Sequence, residues 1–150
     1  MLTYKIFILI AMILLHIIED FHLQGILATM KQKSWWEHEL IKTHKYTEKT
    51  WNKYKYDYVI SLIVHSLENS IFIVLPIIID QLIYTFTTNP NNSYFIMWIA
   101  YILFNTIVHS YIDDLKCNKL KINLITDQLL HFITIIWLFV GCWKDLGMWM

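Results

Sequence analysis

The chain alternates between long apolar runs and shorter polar segments. Four of the apolar runs are long enough to predict helices that cross a bilayer, which takes about 20 residues. These predicted spans cover residues 3–29, 57–87, 94–115 and 123–144. The first could be mistaken for a signal peptide, but it carries His16, Glu19 and Asp20, and no clean small-residue cleavage site follows. We therefore predict that this first span is uncleaved.

The composition fits a membrane protein and argues against other classes. Of the 150 residues, 57% are hydrophobic, and the mean hydropathy of +0.44 is too apolar for a typical soluble domain. The net charge is zero, so we expect no nucleic-acid partner. All twelve basic residues are Lys, and the bidentate phosphate contacts that Arg usually makes are therefore missing.

The distribution of lysine predicts how the spans are oriented. The loop 30–56 carries seven Lys, and the segment between the third and fourth spans carries three more. With four spans these segments share one side, which the positive-inside rule places in the cytoplasm. We therefore predict an all-α integral membrane protein, a four-transmembrane-helix bundle with both termini outside and a single domain over 1–150. The cytoplasmic loop is either a short amphipathic helix anchored by Trp35 and Trp36 or a solvated linker.

Histidine and aspartate recur four residues apart inside the predicted spans, so each pair shares a helix face. The pairs are His16 with Asp20, His109 with Asp113 and, in reversed order, Asp127 with His131. The fourth span runs opposite to the first and third, so the reversal puts every Asp nearer the cytoplasm. Each His then lies about one turn, roughly 6 Å, deeper. The second span offers His65 at that depth, with Ser61 one turn shallower.

This pattern predicts a layer of histidines and a layer of aspartates in the cytoplasmic half of the bundle. Imidazole and carboxylate groups bind zinc, iron and manganese, and helix bundles build such sites from facing helices. We predict that these residues bind a divalent metal. Zinc is the first choice, and iron and manganese are the alternatives. The predicted ligands are His16, Asp20, His65, His109, Asp113, Asp127 and His131.

Two other interpretations use the same residues. A hydrogen-bonded network could specify helix packing without any metal, and chains of His and Asp also carry protons or ions in transporters. The outer halves of the spans carry few polar groups, chiefly Asp80, Gln81 and Asn105, which argues against a transport path. Glu68 follows His65 by three residues and could be a base, a further ligand or a packing contact.

Four short motifs also resemble those of a known group. They are HIIEDFHLQ (16–24), VH (64–65), HSYIDDLK (109–116) and DQLLH (127–131). In this order, over nearly the whole chain, they are similar to an uncharacterised family of small bacterial and phage membrane proteins, domain of unknown function 3307. The resemblance implies a multi-pass protein of a bacterial or phage-infected cell's inner membrane, with no established activity. A distant likeness to membrane-bound metal-dependent hydrolases is an analogy.

The leading functional hypothesis is a metal-dependent hydrolase of a membrane-associated substrate, such as a lipid or isoprenoid phosphate or a peptide within the bilayer. A bound metal would supply hydroxide near neutral pH. The alternatives are a proton- or metal-ion transporter and a non-catalytic interaction or phage-immunity module. The expected partners are the lipid bilayer and the substrate, a homodimer is a further option, and Lys33 and Lys116 could attract an anionic group. The predicted catalytic carboxylates are Asp20, Asp113, Asp127 and Glu68.

Overall fold

The regular elements of the chain are helices. The computed structural model describes residues 2–87 and 94–145, and most of the predicted turn between the second and third spans lies outside these ranges. A π-helical turn, Glu19–Leu23, continues the first helix. The α-helices are α1 (Leu2–Ile18), α2 (Leu27–Met30), α3 (Lys33–Lys42), α4 (Glu48–Tyr54), α5 (Asp57–Thr87), α6 (Phe95–Cys117) and α7 (Leu124–Asp145).

Four helical segments are long and apolar enough to cross a membrane, which confirms the predicted helical class. The first ends earlier than the predicted boundary at residue 29, since its last helical residue is Leu23. The cause is Gly25, whose φ of +49° lies in the left-handed region that ends an α-helix. The chain therefore turns across the end of the bundle before α2 begins.

The four long helices form a ring in which each helix contacts two others. Both α1 and α6 pack against α5 and against α7. Their outward faces are strongly apolar, with Phe7, Ile60, Ile107 and Ile133 more than half exposed. Many polar side chains are instead buried between the helices. Apolar residues outside and polar residues inside are what a bundle surrounded by lipid requires.

The interior of the bundle has two chemically different halves. The apolar core contains Ile8, Met12, Ile73, Val74, Ile77, Tyr101, Ile135, Leu138 and Cys142. The polar core lies at the end of the bundle reached by residues 30–56, which we call the Lys-rich end. This polar core consists of His16, Glu19, Asp20, His65, Asn69, His109, Asp113, Asp127 and His131.

The segment 30–56 is largely helical, in α3 and α4, and its start is fixed to the end of α6. The side-chain amide of Asn118 donates to the backbone oxygen of Lys31 at 3.2 Å and accepts from the backbone N–H of Lys33 at 2.8 Å. The Trp36 indole donates to the backbone oxygen of Met30 at 2.8 Å. These contacts hold Lys31 over the polar core.

Candidate metal centre

The π-helical turn brings two adjacent carboxylates into the polar core. Neighbouring residues of an α-helix point about 100° apart, so only one of Glu19 and Asp20 was expected to face inward. Both are buried, with exposed fractions of 1% and 6%. The π turn replaces the i→i+4 ladder with i→i+5 bonds, and such turns are frequent at functional sites. Glu19 is thus a core residue that the spacing of the motifs did not predict.

His65 lies between carboxylates on both sides of its ring. Its Nδ1 atom is 3.1 Å from Oε1 of Glu19, and its Nε2 atom is 3.3 Å from Oδ1 of Asp20 and 3.2 Å from Oδ2 of Asp113. A carboxylate on one ring nitrogen fixes the orientation and tautomer of an imidazole and leaves the other nitrogen free for a metal. Glu19 therefore lies on one side of the His65 ring, and Nε2 on the other side faces Asp20 and Asp113.

His109, on α6, brings a second imidazole nitrogen into the polar core. Its Nε2 atom is 3.3 Å from Nε2 of His65 and 3.7 Å from Oδ1 of Asp20. Its ring also stacks on that of His131, with 4.1 Å between the centroids. Two imidazole nitrogens facing each other at this distance can share either one proton or a cation.

His131, on α7, brings a third imidazole nitrogen into the polar core. Its Nε2 atom is 3.4 Å from Oδ1 of Asp113 and 3.6 Å from Oδ1 of Asp127. Asp113 thus contacts imidazoles of two different helices, through a different oxygen in each case.

The distances between these atoms match the spacing of ligands around a small cation. Tetrahedral zinc with bonds of about 2.0–2.1 Å holds its nitrogen and oxygen ligands roughly 3.3–3.4 Å apart. Five contacts in the polar core lie between 3.2 and 3.6 Å. Three overlapping sets of ligand atoms lie within 4.8 Å of one another and could hold an ion. The sets are Asp20, His65 and His109; His109, Asp113 and His131; and Asp20, Asp127 and His131.

Several of these ligand atoms also lack an aligned hydrogen-bond donor. Among the described residues, no aligned hydrogen-bond donor reaches Oδ1 of Asp20, Asp113 or Asp127, although all three atoms are buried. A buried polar atom left without a partner costs about 1–3 kcal/mol, and more when it is charged. A bound cation would satisfy all three oxygens.

Two of the predicted site residues lie outside the ligand sets. His16 is fully buried, but it contacts Asn69, whose Nδ2 is 3.1 Å from its Nδ1, and it belongs to none of the three sets. Glu68 is exposed on the outer face of α5, while Asn69, the next residue, points into the core and donates to Oε2 of Glu19 at 2.5 Å. The structure therefore places His16 beside the centre and Glu68 away from it.

Two lysines reach the carboxylates from the Lys-rich end. Lys31 Nζ lies 2.7 Å from Oδ2 of Asp113, and Lys116 Nζ lies 2.6 Å from Oδ2 of Asp127. Burial lowers the pKa of Lys31, but the adjacent Asp113 carboxylate outweighs this and raises the pKa above its ordinary value. Lys116 had been predicted near the site, whereas Lys33, the other predicted lysine, is exposed. Lys31, and not Lys33, lies beside the carboxylates, because the segment 30–56 folds over the polar core.

No protein-family model, curated protein or solved structure matches this chain. The similarity to domain of unknown function 3307 stays a prediction based on the four motifs. The features that indicate a function are the arrangement of the buried histidines and aspartates and the four apolar helices.

Proposed function

We propose that the chain is a multi-pass protein of a bacterial or phage-infected cell membrane, and that it hydrolyses a membrane-associated substrate at a divalent-metal centre. The observation that carries this proposal is the set of 3.2–3.6 Å contacts among imidazole nitrogens and carboxylate oxygens. Three of those oxygens have no aligned hydrogen-bond donor. A cation accounts for both features.

The simplest centre uses Nε2 of His65, Nε2 of His109 and Oδ1 of Asp20. Three protein ligands and an open fourth position are typical of catalytic zinc, which we place before iron or manganese. Glu19 would act as the outer carboxylate that orients His65, an arrangement common around metal-bound imidazoles. The ligands come from three helices, so the packing of the bundle fixes the geometry.

The carboxylates around this centre suit hydrolysis. A bound divalent metal supplies hydroxide near neutral pH. Hydrolysis would add water across the bond between the phosphorus or carbonyl carbon of the substrate and the leaving oxygen or nitrogen. In this one-ion centre, Asp113 or Asp127 would accept the proton lost by the water and return it to the leaving group. Both side chains are within 3.6 Å of His131, so proton acceptor and ligands share one compact core.

The orientation follows from the position of the lysines. The segment 30–56 and the turn between α6 and α7 meet at the same end of the bundle, where Asn118 binds Lys31 and Lys33. The positive-inside rule makes this the cytoplasmic end, with both termini outside. Next to it lies a cleft of about 270 Å³ whose lining includes Met30, Trp36 and Ser61. We propose that the substrate's polar group enters from this side.

The apolar core argues against the transport alternative. A proton or ion leaving the polar core toward the other end would have to pass a tightly packed group that includes Met12, Ile73, Val74 and Leu138, all at most 1% exposed. Beyond this layer polar side chains recur, for example Gln81, which accepts a hydrogen bond from Trp98 at 2.7 Å. A centre that opens to one side suits an enzyme better than a conducting path.

The first test is the metal content of the chain purified in mild detergent with a tag that contains no histidine. We expect stoichiometric metal by elemental mass spectrometry, and its loss from a folded His109→Ala variant. His22→Ala is the matched control, because His22 is exposed at the end of the same bundle. Metal-bound protein would then be screened for hydrolysis of labelled lipid phosphates and peptides. The hydrolase proposal fails if metal-repleted protein binds none, or if bound metal supports no turnover in that screen.

A further inference from the structure

The polar core carries more ligand atoms than one ion can use. A catalytic zinc ion takes three protein ligands, whereas six side chains of the core belong to ligand sets. They can be divided into two groups of three. One group is the ligand set Asp20, His65 and His109, linked by contacts of 3.3–3.7 Å. In the other group, Nε2 of His131 contacts Oδ1 of Asp113 at 3.4 Å and Oδ1 of Asp127 at 3.6 Å.

Asp113 lies between the two groups and contacts both of them. Its Oδ1 atom is 3.4 Å from Nε2 of His131, while its Oδ2 atom is 3.2 Å from Nε2 of His65. A carboxylate that directs one oxygen to each group has the geometry of a bridge between two ions, which in such centres lie about 3.5–4 Å apart. We infer that the polar core binds two divalent ions bridged by Asp113, and that this pair of ions binds the phosphate group of an ester.

The two lysines leave the bridging geometry intact. Lys31 contacts Oδ2 of Asp113, and Lys116 contacts Oδ2 of Asp127. In both residues Oδ1 has no hydrogen-bond donor among the described residues. An ionised carboxylate oxygen offers two acceptor positions, so Oδ2 of Asp113 can face an ion and still accept from Lys31.

The charge of the core indicates what a second ion requires. The core holds four carboxylates, from Glu19, Asp20, Asp113 and Asp127. Two of them are paired with ammonium groups, Asp113 with Lys31 and Asp127 with Lys116. With neutral imidazoles the core carries two net negative charges. One divalent ion neutralises these charges, and a second leaves two positive charges in a buried site, which an anion must balance. A phosphate ester brings up to two negative charges, and two-ion centres are typical of enzymes that cleave phosphate esters.

This inference rests on the proposed metal centre and specifies its substrate class. It implies that phosphate and the second ion bind cooperatively. The second ion leaves an excess of positive charge that favours binding of phosphate, and bound phosphate neutralises the charge that opposes binding of the second ion. By linkage, phosphate must then strengthen binding of the second ion by the same factor as that ion strengthens binding of phosphate. We expect a coupling of at least about tenfold, within the common range of 5–150-fold.

The test uses the full chain in detergent, stripped with a chelator and titrated with Mn²⁺ with and without inorganic phosphate. Elemental mass spectrometry after gel filtration gives the number of ions per chain, and electron paramagnetic resonance detects exchange coupling between two neighbouring Mn²⁺ ions. We expect two ions per chain with phosphate, a coupled signal, and a weaker second site without phosphate.

Asp113→Asn is the decisive variant and Asp114→Asn is its matched control. Asp114 is the next residue on α6 but pairs with Lys119 at 2.7 Å, outside the polar core. We expect one ion and no coupled signal in Asp113→Asn, and two coupled ions in Asp114→Asn. Asp127→Asn removes a ligand of the same ion and should also leave one, which keeps the test decisive if Asp113→Asn does not fold.

The outcomes separate this inference from the proposed function. A single Mn²⁺ per chain at saturation, unaffected by phosphate, overturns the two-ion centre but leaves a one-ion hydrolase standing. If the folded Asp113→Asn and Asp127→Asn variants still bind two coupled ions, the bridging role of Asp113 is overturned. Protein that binds no ion under any condition overturns both proposals. Two ions whose affinity does not respond to phosphate overturn the assignment of substrate class.

Discussion

The two halves of this bundle use the same four helices for different purposes. In the apolar half, side chains such as Met12, Val74 and Leu138 fill the space between helices and satisfy one another by packing. In the polar half, buried carboxylates and imidazoles approach one another closely, and some of their atoms have no hydrogen-bond donor. The apolar half is filled by packing, whereas the polar half contains groups of ligand atoms that could hold a cation.

The difference shows what each half contributes to the folded state. The four helices are long and apolar enough to cross a membrane, and between helices in lipid apolar contacts are favoured by packing and not by exclusion from water. Polar groups in such a setting are costly unless paired, which makes them good indicators of function. Mutations in the two halves should therefore have separable effects on stability and on metal binding.

The largest effect on metal binding is expected from His65→Ala. This imidazole contacts Asp20, Asp113 and His109 through one nitrogen, so its removal deletes a ligand from the centre. Changes to outer partners of metal ligands typically cost 10–100-fold in affinity, so loss of a ligand should cost more than about 100-fold. Competition with a fluorescent zinc chelator measures it. Unchanged zinc affinity in the folded variant would remove His65 from the centre.

Leu138→Ala should show the opposite behaviour. Leu138 is fully buried in the apolar core, and truncating a buried Leu to Ala costs about 2–5 kcal/mol through lost contacts and a residual cavity. Unfolding in mixed detergent micelles measures this free energy. The metal content per folded chain should stay the same as in the original protein. A parallel loss of metal from folded protein would show that the two halves are not independent.

A smaller effect on the centre is expected from Glu19→Gln. The amide keeps the size of the side chain but weakens the 3.1 Å contact that orients His65. We expect zinc affinity to fall about 10–100-fold, as for other changes to the outer partner of a ligating imidazole. Glu68→Gln is the matched control, since Glu68 is exposed on α5 and should leave the affinity unchanged. Equal affinities in both variants would contradict an orienting role for Glu19.

The helical class and most of the residues that meet in the polar core could be predicted from the sequence. Four long apolar runs predicted the helices, and the four-residue spacing correctly placed His109 and Asp113 on one helix face, since residues one turn apart overlap regardless of helix rotation. The reversed order of Asp127 and His131 is matched by contacts of Nε2 of His131 with Oδ1 of Asp113 at 3.4 Å and with Oδ1 of Asp127 at 3.6 Å, while their depth in a membrane stays a prediction.

The features that were missed depend on local geometry or on distant contacts. Glu19 enters the core through a π-helical turn, for which the sequence carries no recognised signal. Lys31 reaches Asp113 across 82 positions of the chain because the linker folds back over the core. Glu68 faces outward and Asn69 inward because helix packing sets the rotation of α5, which spacing from His65 alone does not fix.

The smallest effect is expected at the border between the two halves, from Asn105→Ala. Asn105 donates to the Ser70 hydroxyl at 2.9 Å, one turn of α6 away from His109. Hydrogen bonds between membrane helices contribute on average about 0.6 kcal/mol, so stability should fall by about that amount, and metal content should not change.

This variant also sharpens the choice between enzyme and transporter. If the centre opens to one side only, proton or Zn²⁺ flux into liposomes should be at background level both before and after the change. A flux well above that of empty liposomes, abolished by Asn105→Ala, would mean that the polar core continues through the apolar half. Because Asn105 lies where such a path would have to begin, a small effect on stability without any flux is the result that keeps the two halves distinct.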